Sequence, residues 1–204
     1  MNESESVGVG PHPKPWPTDA HFDVNLLEKG DDRNVLDKYR YWKVASIKQD
    51  LDETRIPLEI AIENLSRDYN MGTIVRCANA FNIKRVHIIG RKQWNKRGAM
   101  VTDVYMNILY HDDVQAFKAV MDKEKRDIIA VDIVEGAEPL SSVQLPESTV
   151  LVFGAEGPGL SKELLKVAKH TVMIEQLGST RSINVGVAAG IAMYSWVQEH
   201  VLTR

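Results

Sequence analysis

From residue 58 onward the chain alternates between two hydrophobic periods. Short runs of β-branched and apolar residues at 58–62, 85–89, 128–133, 150–153 and 171–174 read as strands, and stretches at 72–82, 114–125, 162–169 and 183–201 carry apolar positions at helical spacing. Strands and helices in alternation predict an α/β domain built on a largely parallel sheet with helices on its faces. The last helix is long, apolar and rich in small residues. Gly186, Ala188, Ala189 and Gly190 allow a close approach, either by a partner chain or by a neighbouring helix of the same domain.

Upstream the pattern weakens. Residues 1–18 are rich in Gly, Pro, Ser and Glu, and Pro11, Pro13, Pro15 and Pro17 remove backbone donors at alternate positions, which predicts a disordered or extended tail. Residues 19–55 read as a polar helical extension carrying Arg33, Lys38, Tyr39, Arg40, Tyr41, Trp42 and Lys43 without a deep core stripe. Residues 56–204 form the main domain.

Composition narrows the function classes. A chain of 204 residues with 44% hydrophobic content suffices for one well-buried domain plus an appendage. A formal net charge of −3 is no whole-molecule basic signature, so any nucleic-acid binding has to come from a local patch. Cys77 is the single cysteine, and paired Cys or His at metal-ligand spacing is absent, which predicts a reducing, cytoplasmic setting without a structural metal. Neither a basic region followed by an apolar run nor a stretch of about 18 apolar residues occurs, so no leader or membrane span is expected.

Three glycine-containing loops carry the candidate chemistry. The first runs Asn64-Leu-Ser-Arg-Asp-Tyr-Asn70-Met-Gly72-Thr-Ile-Val-Arg76 and leads from a strand into a helix. Asn70 is positioned to cap that helix, Gly72 permits a close approach, and Arg76 lies one turn beyond Gly72 on the same face. In the second, Leu151-Val-Phe153-Gly154-Ala-Glu156-Gly157-Pro-Gly159-Leu-Ser161, an apolar strand ends in glycines around one carboxylate before a helix capped by Ser161. Such a loop at the carboxyl end of a parallel strand suits a ligand crevice, but it is neither a phosphate loop nor the dinucleotide fingerprint. The third, Ile174-Glu-Gln176-Leu177-Gly178-Ser-Thr-Arg181-Ser182-Ile183-Asn184-Val-Gly186, again joins a strand to a helix. Ser182 reads as its cap, with Asn184 in the first turn.

Taken in order, these segments resemble the SpoU (TrmH) family of the SPOUT superfamily, the RNA ribose 2′-O-methyltransferases, over roughly residues 58–201. The first is similar to the family's Asn-x-Gly-x-x-x-Arg motif, the second to Gly-x-Glu-Gly-x-Gly-Leu-Ser, and the third to Ser-Leu-Asn-Val-Ser-Val-Ala-Ala. The resemblance implies a parallel sheet with a C-terminal deep trefoil knot, an exception to unknotted topology. It also implies S-adenosylmethionine as cofactor, contacted by Gly154, Ile174 and Ile183 through the backbone and lined by Phe153, Gly157, Gln176, Leu177 and Ser182. A homodimer follows in the same way, with Arg76 reaching towards the partner's cofactor. By position Asn70, Glu156, Ser182 and Asn184 join Arg76 as catalytic residues. The matching arginine is proposed in the family to take the hydroxyl proton, and a guanidinium is equally suited to orient a phosphate or hydroxyl. The chain departs from the family in reading Ile174-Glu175-Gln176 where many relatives have Ile-Pro-Met, and in carrying Ile183 for Leu and Gly186 for Ser.

RNA also has to be held. Arg85, Arg91, Lys92, Trp94, Lys96 and Arg97 supply local positive charge and a stacking surface, with the Arg33, Lys38, Arg40 and Trp42 cluster as a second candidate. Transfer RNA is slightly favoured over ribosomal RNA, because the N-terminal segment is short and partly helical. The competing readings are a catalytically silent knotted RNA-binding dimer and a base-methylating enzyme of the wider superfamily.

Overall fold

The computed structural model describes residues 8–64, 70–155 and 157–203, which fall into two compact units, Met1–Glu53 and Thr54–Arg204. The first unit holds two short helices, α1 (Val24–Lys29) and α2 (Val44–Glu53). Residues 8–18 form no helix or strand. They are tied down instead by an isolated bridge between Val9 and Asp31 and by the His12 N–H donating to the Leu27 carbonyl at 2.9 Å. The unit is organised around Asp31, which is fully buried. Burial alone raises the pKa of such a carboxyl, but the Arg33 guanidinium at 2.6 Å and the backbone N–H groups of Tyr41 and Arg33 outweigh it and hold the group at about 2.

The basic residues of the second candidate cluster also make contacts within this unit. Arg33 also donates to the Trp42 carbonyl, Arg40 donates to the Arg33 carbonyl, and Lys38 pairs with Asp50. These side chains are occupied in holding the unit together.

The second unit is a seven-stranded sheet. Its strands are β1 (Ile56–Asn64), β2 (Ile83–Gly90), β3 (Ile108–His111), β4 (Asp127–Val131), β5 (Glu138–Pro139), β6 (Thr149–Phe153) and β7 (His170–Met173). They lie in the order β3-β2-β1-β6-β4-β7-β5, and every neighbouring pair runs parallel. The helices are α3 (Met71–Ala80), α4 (Val114–Lys123), α5 (Lys162–Val167) and α6 (Val185–Val197).

Period-two alternation sorts each central strand onto two cores. Leu58, Ile60, Ile62, Leu151 and Phe153 pack with Ile74 and Val75 of α3 and with Met193 and Trp196 of α6. Ala61, Val150 and Val152 pack on the other face with Val114, Phe117 and Met121 of α4 and Leu164 of α5. Both faces are thus covered, which is why β6 is buried along its whole length.

Several boundaries differ from expectation. β3 and β5 escape sequence reading because they are very short strands at the sheet's edges, where no long apolar run is required. β4 ends at Val131 rather than continuing to Ile133, which frees Asp132 for other contacts. α6 begins after Asn184, and its expected C-terminal part, Gln198–Leu202, is a π-helical turn. Among the described residues, no helix is long and apolar enough to cross a membrane, and no group of His, Cys, Asp or Glu is arranged to hold a metal ion.

One polar feature lies inside the sheet. Glu59 of β1 is fully buried and receives Arg85 at 2.8 Å, Arg126 at 2.9 Å, Lys84 at 3.3 Å and the His87 Nε2–H at 2.7 Å. Desolvation raises its pKa, but His87 and the guanidinium of Arg126 prevail and hold it at about 2. The carboxylate only accepts, so His87 donates to it through Nε2–H, and His87 Nδ1 lies 2.8 Å from His111 Nε2. Burial, helped by the neighbouring His87, lowers His111 to about 4.

Candidate active site at the carboxyl edge of the sheet

The ends of β4, β6 and β7 and the start of α6 surround a cavity of about 430 Å³. Its floor is the glycine loop after β6. A Cβ on Gly154 would stand 2.3 Å from the Gly159 carbonyl carbon and 2.5 Å from the Leu160 nitrogen, so glycine is required there by backbone passing close to backbone. The loop folds back through a bridge between Ala155 and Gly159 and enters α5 at Ser161, whose Oγ accepts from the Leu164 N–H at 3.1 Å.

Two carboxylates from neighbouring strand ends hold the returning loop. The Asp132 Oδ2 accepts from the Leu160 N–H at 2.8 Å, and the Glu63 Oε2 accepts from the Ser161 N–H at 2.7 Å. Neither residue stood out in the sequence. The signal that existed was a carboxylate breaking the apolar run at 128–133, and a strand assignment carried through to Ile133 hid it.

The first and third motifs meet directly. Asn184 Nδ2 donates to Asn70 Oδ1 at 2.9 Å across 114 residues of chain. Asn184 is also the cap of α6, its Oδ1 accepting from the N–H groups of Gly186 at 3.0 Å and Val187 at 3.2 Å. The cap expected at Ser182 is therefore supplied two residues later, where the side chain sits directly ahead of the first turn. Asn70 stands at the start of α3 without a side-chain cap bond, its carbonyl oxygen facing Asn184 instead. Gly72 lets this turn approach its neighbour, since a Cβ there would meet the Ala99 nitrogen at 2.5 Å. Arg76 is exposed further along the same helix.

Gly154, Gly157, Ile174, Gln176, Ser182 and Ile183 all line the cavity, beside Val131, Asp132, Ile133, Met173 and Val185, which sequence reading had not picked out, and Ala188, which it had read only as a packing residue. Two expected lining residues do not reach it. Phe153 is buried in the core beneath the loop, and the Leu177 side chain is fully exposed to solvent. Gln176 has a buried Oε1 without a hydrogen-bond partner among the described residues, and Glu175 accepts a hydrogen bond from Ser141 Oγ. Glu156 lies outside the described residues.

The basic residues also separate. Arg91, Lys92, Lys96 and Arg97 are exposed on the segment that follows the carboxyl end of β2, with the half-buried Trp94 among them. Asn64 pins this segment by donating to the carbonyls of Arg91 at 2.6 Å and Gln93 at 3.2 Å. The Lys96 ammonium lies 5.7 Å above the Trp94 ring, and Trp94 Nε1 is 3.5 Å from the Tyr110 hydroxyl. Arg85 does not belong to this group. It sits near the opposite end of β2, where Glu59 and Glu124 take up its guanidinium.

A model of the SpoU rRNA Methylase family matches residues 57–194. The chain belongs to the SpoU rRNA methylase family. Among characterised relatives it is similar to the tRNA (guanosine(18)-2′-O)-methyltransferase of Thermus thermophilus, 26% identical over 153 residues that cover 72% of this chain and 78% of that protein. Among solved structures, the TrmH/SpoU tRNA modifying enzyme of A. aeolicus superposes with a TM-score of 0.66 at 23% identity, over 76% of this chain and 83% of that one. The SpoU methyltransferase AviRb of Streptomyces viridochromogenes, solved in complex with the cofactor AdoMet, superposes with a TM-score of 0.64 at 18% identity, over 75% and 64%. The seven-stranded parallel sheet is thus the fold of SpoU proteins.

Proposed function

We propose that this SpoU protein transfers a methyl group from S-adenosylmethionine to a ribose 2′-hydroxyl of RNA, with transfer RNA the favoured substrate, and that the cavity at the carboxyl edge holds the cofactor. The observation that carries this reading is the convergence of the three motifs: the glycine loop forms the floor, and Asn70 and Asn184 are hydrogen-bonded to each other beside it. The lining suits the cofactor. It is mainly glycine and aliphatic, as a purine and a thioether chain require, and among the described residues no Lys or Arg lines it as a polyphosphate would demand.

When bound, the cofactor supplies an activated methyl group on an excellent leaving group, so the protein's contribution is chiefly position and a place for the hydroxyl proton. Asn184 fixes the start of α6 against the loop, and through Asn70 it fixes the start of α3, the helix that carries Arg76. Arg76 would orient the acceptor ribose or its phosphate by donating hydrogen bonds, with the hydroxyl proton passing to solvent. Ser182 and the buried Gln176 amide add polar contacts in the same wall. Arg91, Lys92, Trp94, Lys96 and Arg97 hold RNA phosphates and an unpaired base.

The protein acts as a cytoplasmic homodimer with a knotted carboxyl-terminal segment. In support of the dimer, Val187, Ile191 and Tyr194 present an exposed apolar stripe along α6 at helical spacing. The test is methyl transfer from labelled S-adenosylmethionine to total transfer RNA and to ribosomal RNA, with nuclease digestion to identify the nucleoside. A ribose-methylated product that falls about 100-fold or more in Arg76→Ala supports the reading. Methylation on a base, or cofactor-free RNA binding without transfer, refutes it.

A further inference from the structure

Among the described residues lining the cavity, Asp132 is the one with an ionisable side chain, and its two hydrogen bonds are to backbone N–H groups. It sits where β4 ends, at a bend that carries it into the cavity wall. Each of its oxygens already accepts one backbone N–H, Oδ1 from Ile133 at 2.7 Å and Oδ2 from Leu160 at 2.8 Å. That geometry calls for a carboxylate, because an amide would turn an NH₂ towards an N–H. A carboxylate has acceptor capacity left after two such bonds, and its charge is not neutralised by either.

We infer that Asp132 is a specificity-determining residue that makes the cavity prefer a cationic sulfonium cofactor over the neutral thioether remaining after methyl transfer. This rests on the reading that the cavity holds S-adenosylmethionine. In the reaction the methyl group passes from sulfur to the ribose oxygen, the sulfur keeps the electron pair of the broken C–S bond, and the hydroxyl proton leaves. The bound molecule thereby loses its positive charge at sulfur. A cavity of about 430 Å³ keeps that charge within roughly a Debye length, about 8 Å at physiological salt, of the Asp132 carboxylate, and a protein wall screens far less than water. The attraction is present before transfer and absent after it, so turnover itself loosens the spent cofactor.

The experiment is calorimetric titration of the full chain with three ligands: S-adenosylmethionine, S-adenosylhomocysteine, and sinefungin, which carries an amine where the sulfonium stands. The expected result is that wild type binds the two cations about 10-fold more tightly than the thioether, and that Asp132→Asn brings the three within about twofold of one another. A purely loop-holding Asp132 predicts instead an equal loss for all three ligands, and that result overturns the inference. Wild type binding the thioether as tightly as both cations overturns it too, whether or not the variant folds. Failure of the underlying reading looks different: wild type binds none of the three, or Gly154→Ala leaves all three affinities unchanged.

Discussion

The two ends of the same parallel sheet treat buried polar groups in opposite ways. Towards the amino end of β1 and β2, Glu59 is surrounded by Arg85, Arg126, Lys84 and His87, and from there the hydrogen bonds run across the sheet to His111 at the end of β3. Both oxygens of Glu59 are engaged within the protein. At the carboxyl end, among the described residues, Gln176 keeps a buried oxygen without a partner and no cationic side chain lines the cavity beside Asp132. A saturated network contributes to holding the fold, whereas polar groups left with open capacity are where a ligand finds purchase. Residue type does not separate the two ends, since both use carboxylates, Glu59 on β1 and Asp132 just beyond β4. The difference lies in what surrounds them.

That contrast can be broken or sharpened by substitution. The largest effect on binding is expected at the carboxyl end. Gly154→Ala forces the glycine loop away from Gly159, and a displacement of that kind is expected to weaken cofactor binding about 100-fold, as read by calorimetry, with a small change in melting temperature. Glu59→Gln should do the reverse. Removing one member of a buried charge network leaves Arg126 without its carboxylate and Arg85 with Glu124 alone, at a cost of about 3–5 kcal/mol in urea unfolding, while the cofactor affinity of the remaining folded protein stays within about threefold. If Glu59→Gln instead abolishes binding and leaves stability alone, the division between the two ends is wrong.

The smallest effect is in pH dependence. His111 is held neutral in the folded protein, with its pKa near 4 against an ordinary 6.5. Between those values the unfolded chain binds a proton that the folded one does not, so stability falls as pH drops from about 6.5 towards 4, by on the order of 1–2 kcal/mol. Glu59, depressed to about 2, adds a further loss below about pH 4.5. His111→Gln should flatten the upper part of that profile in thermal melts and leave the lower part in place.

Much of the domain was legible before any coordinates. The central strands announced themselves through long β-branched runs, because burial on both faces demands apolar residues at nearly every position. The glycine loop was legible as well, since backbone passing 2.3 Å from a would-be Cβ leaves no alternative to Gly154. The edge strands β3 and β5 were not, because their pairing depends on a neighbour rather than on their own pattern. Arg85 shows the same limit in a side chain: its sequence neighbourhood is basic, yet the strand register puts it opposite Glu59.

By itself, then, the chain's order of residues determined the α/β class, the three motifs and the family they belong to, all of which rest on local spacing and on backbone sterics that a short segment contains. Only the tertiary structure decided that Asn70 meets Asn184, that Asp132 and Glu63 clasp the glycine loop, and that Glu59 is saturated while Asp132 is not. Those relations join residues up to 114 positions apart. They depend on strand order and on where each strand stops, which no local pattern encodes.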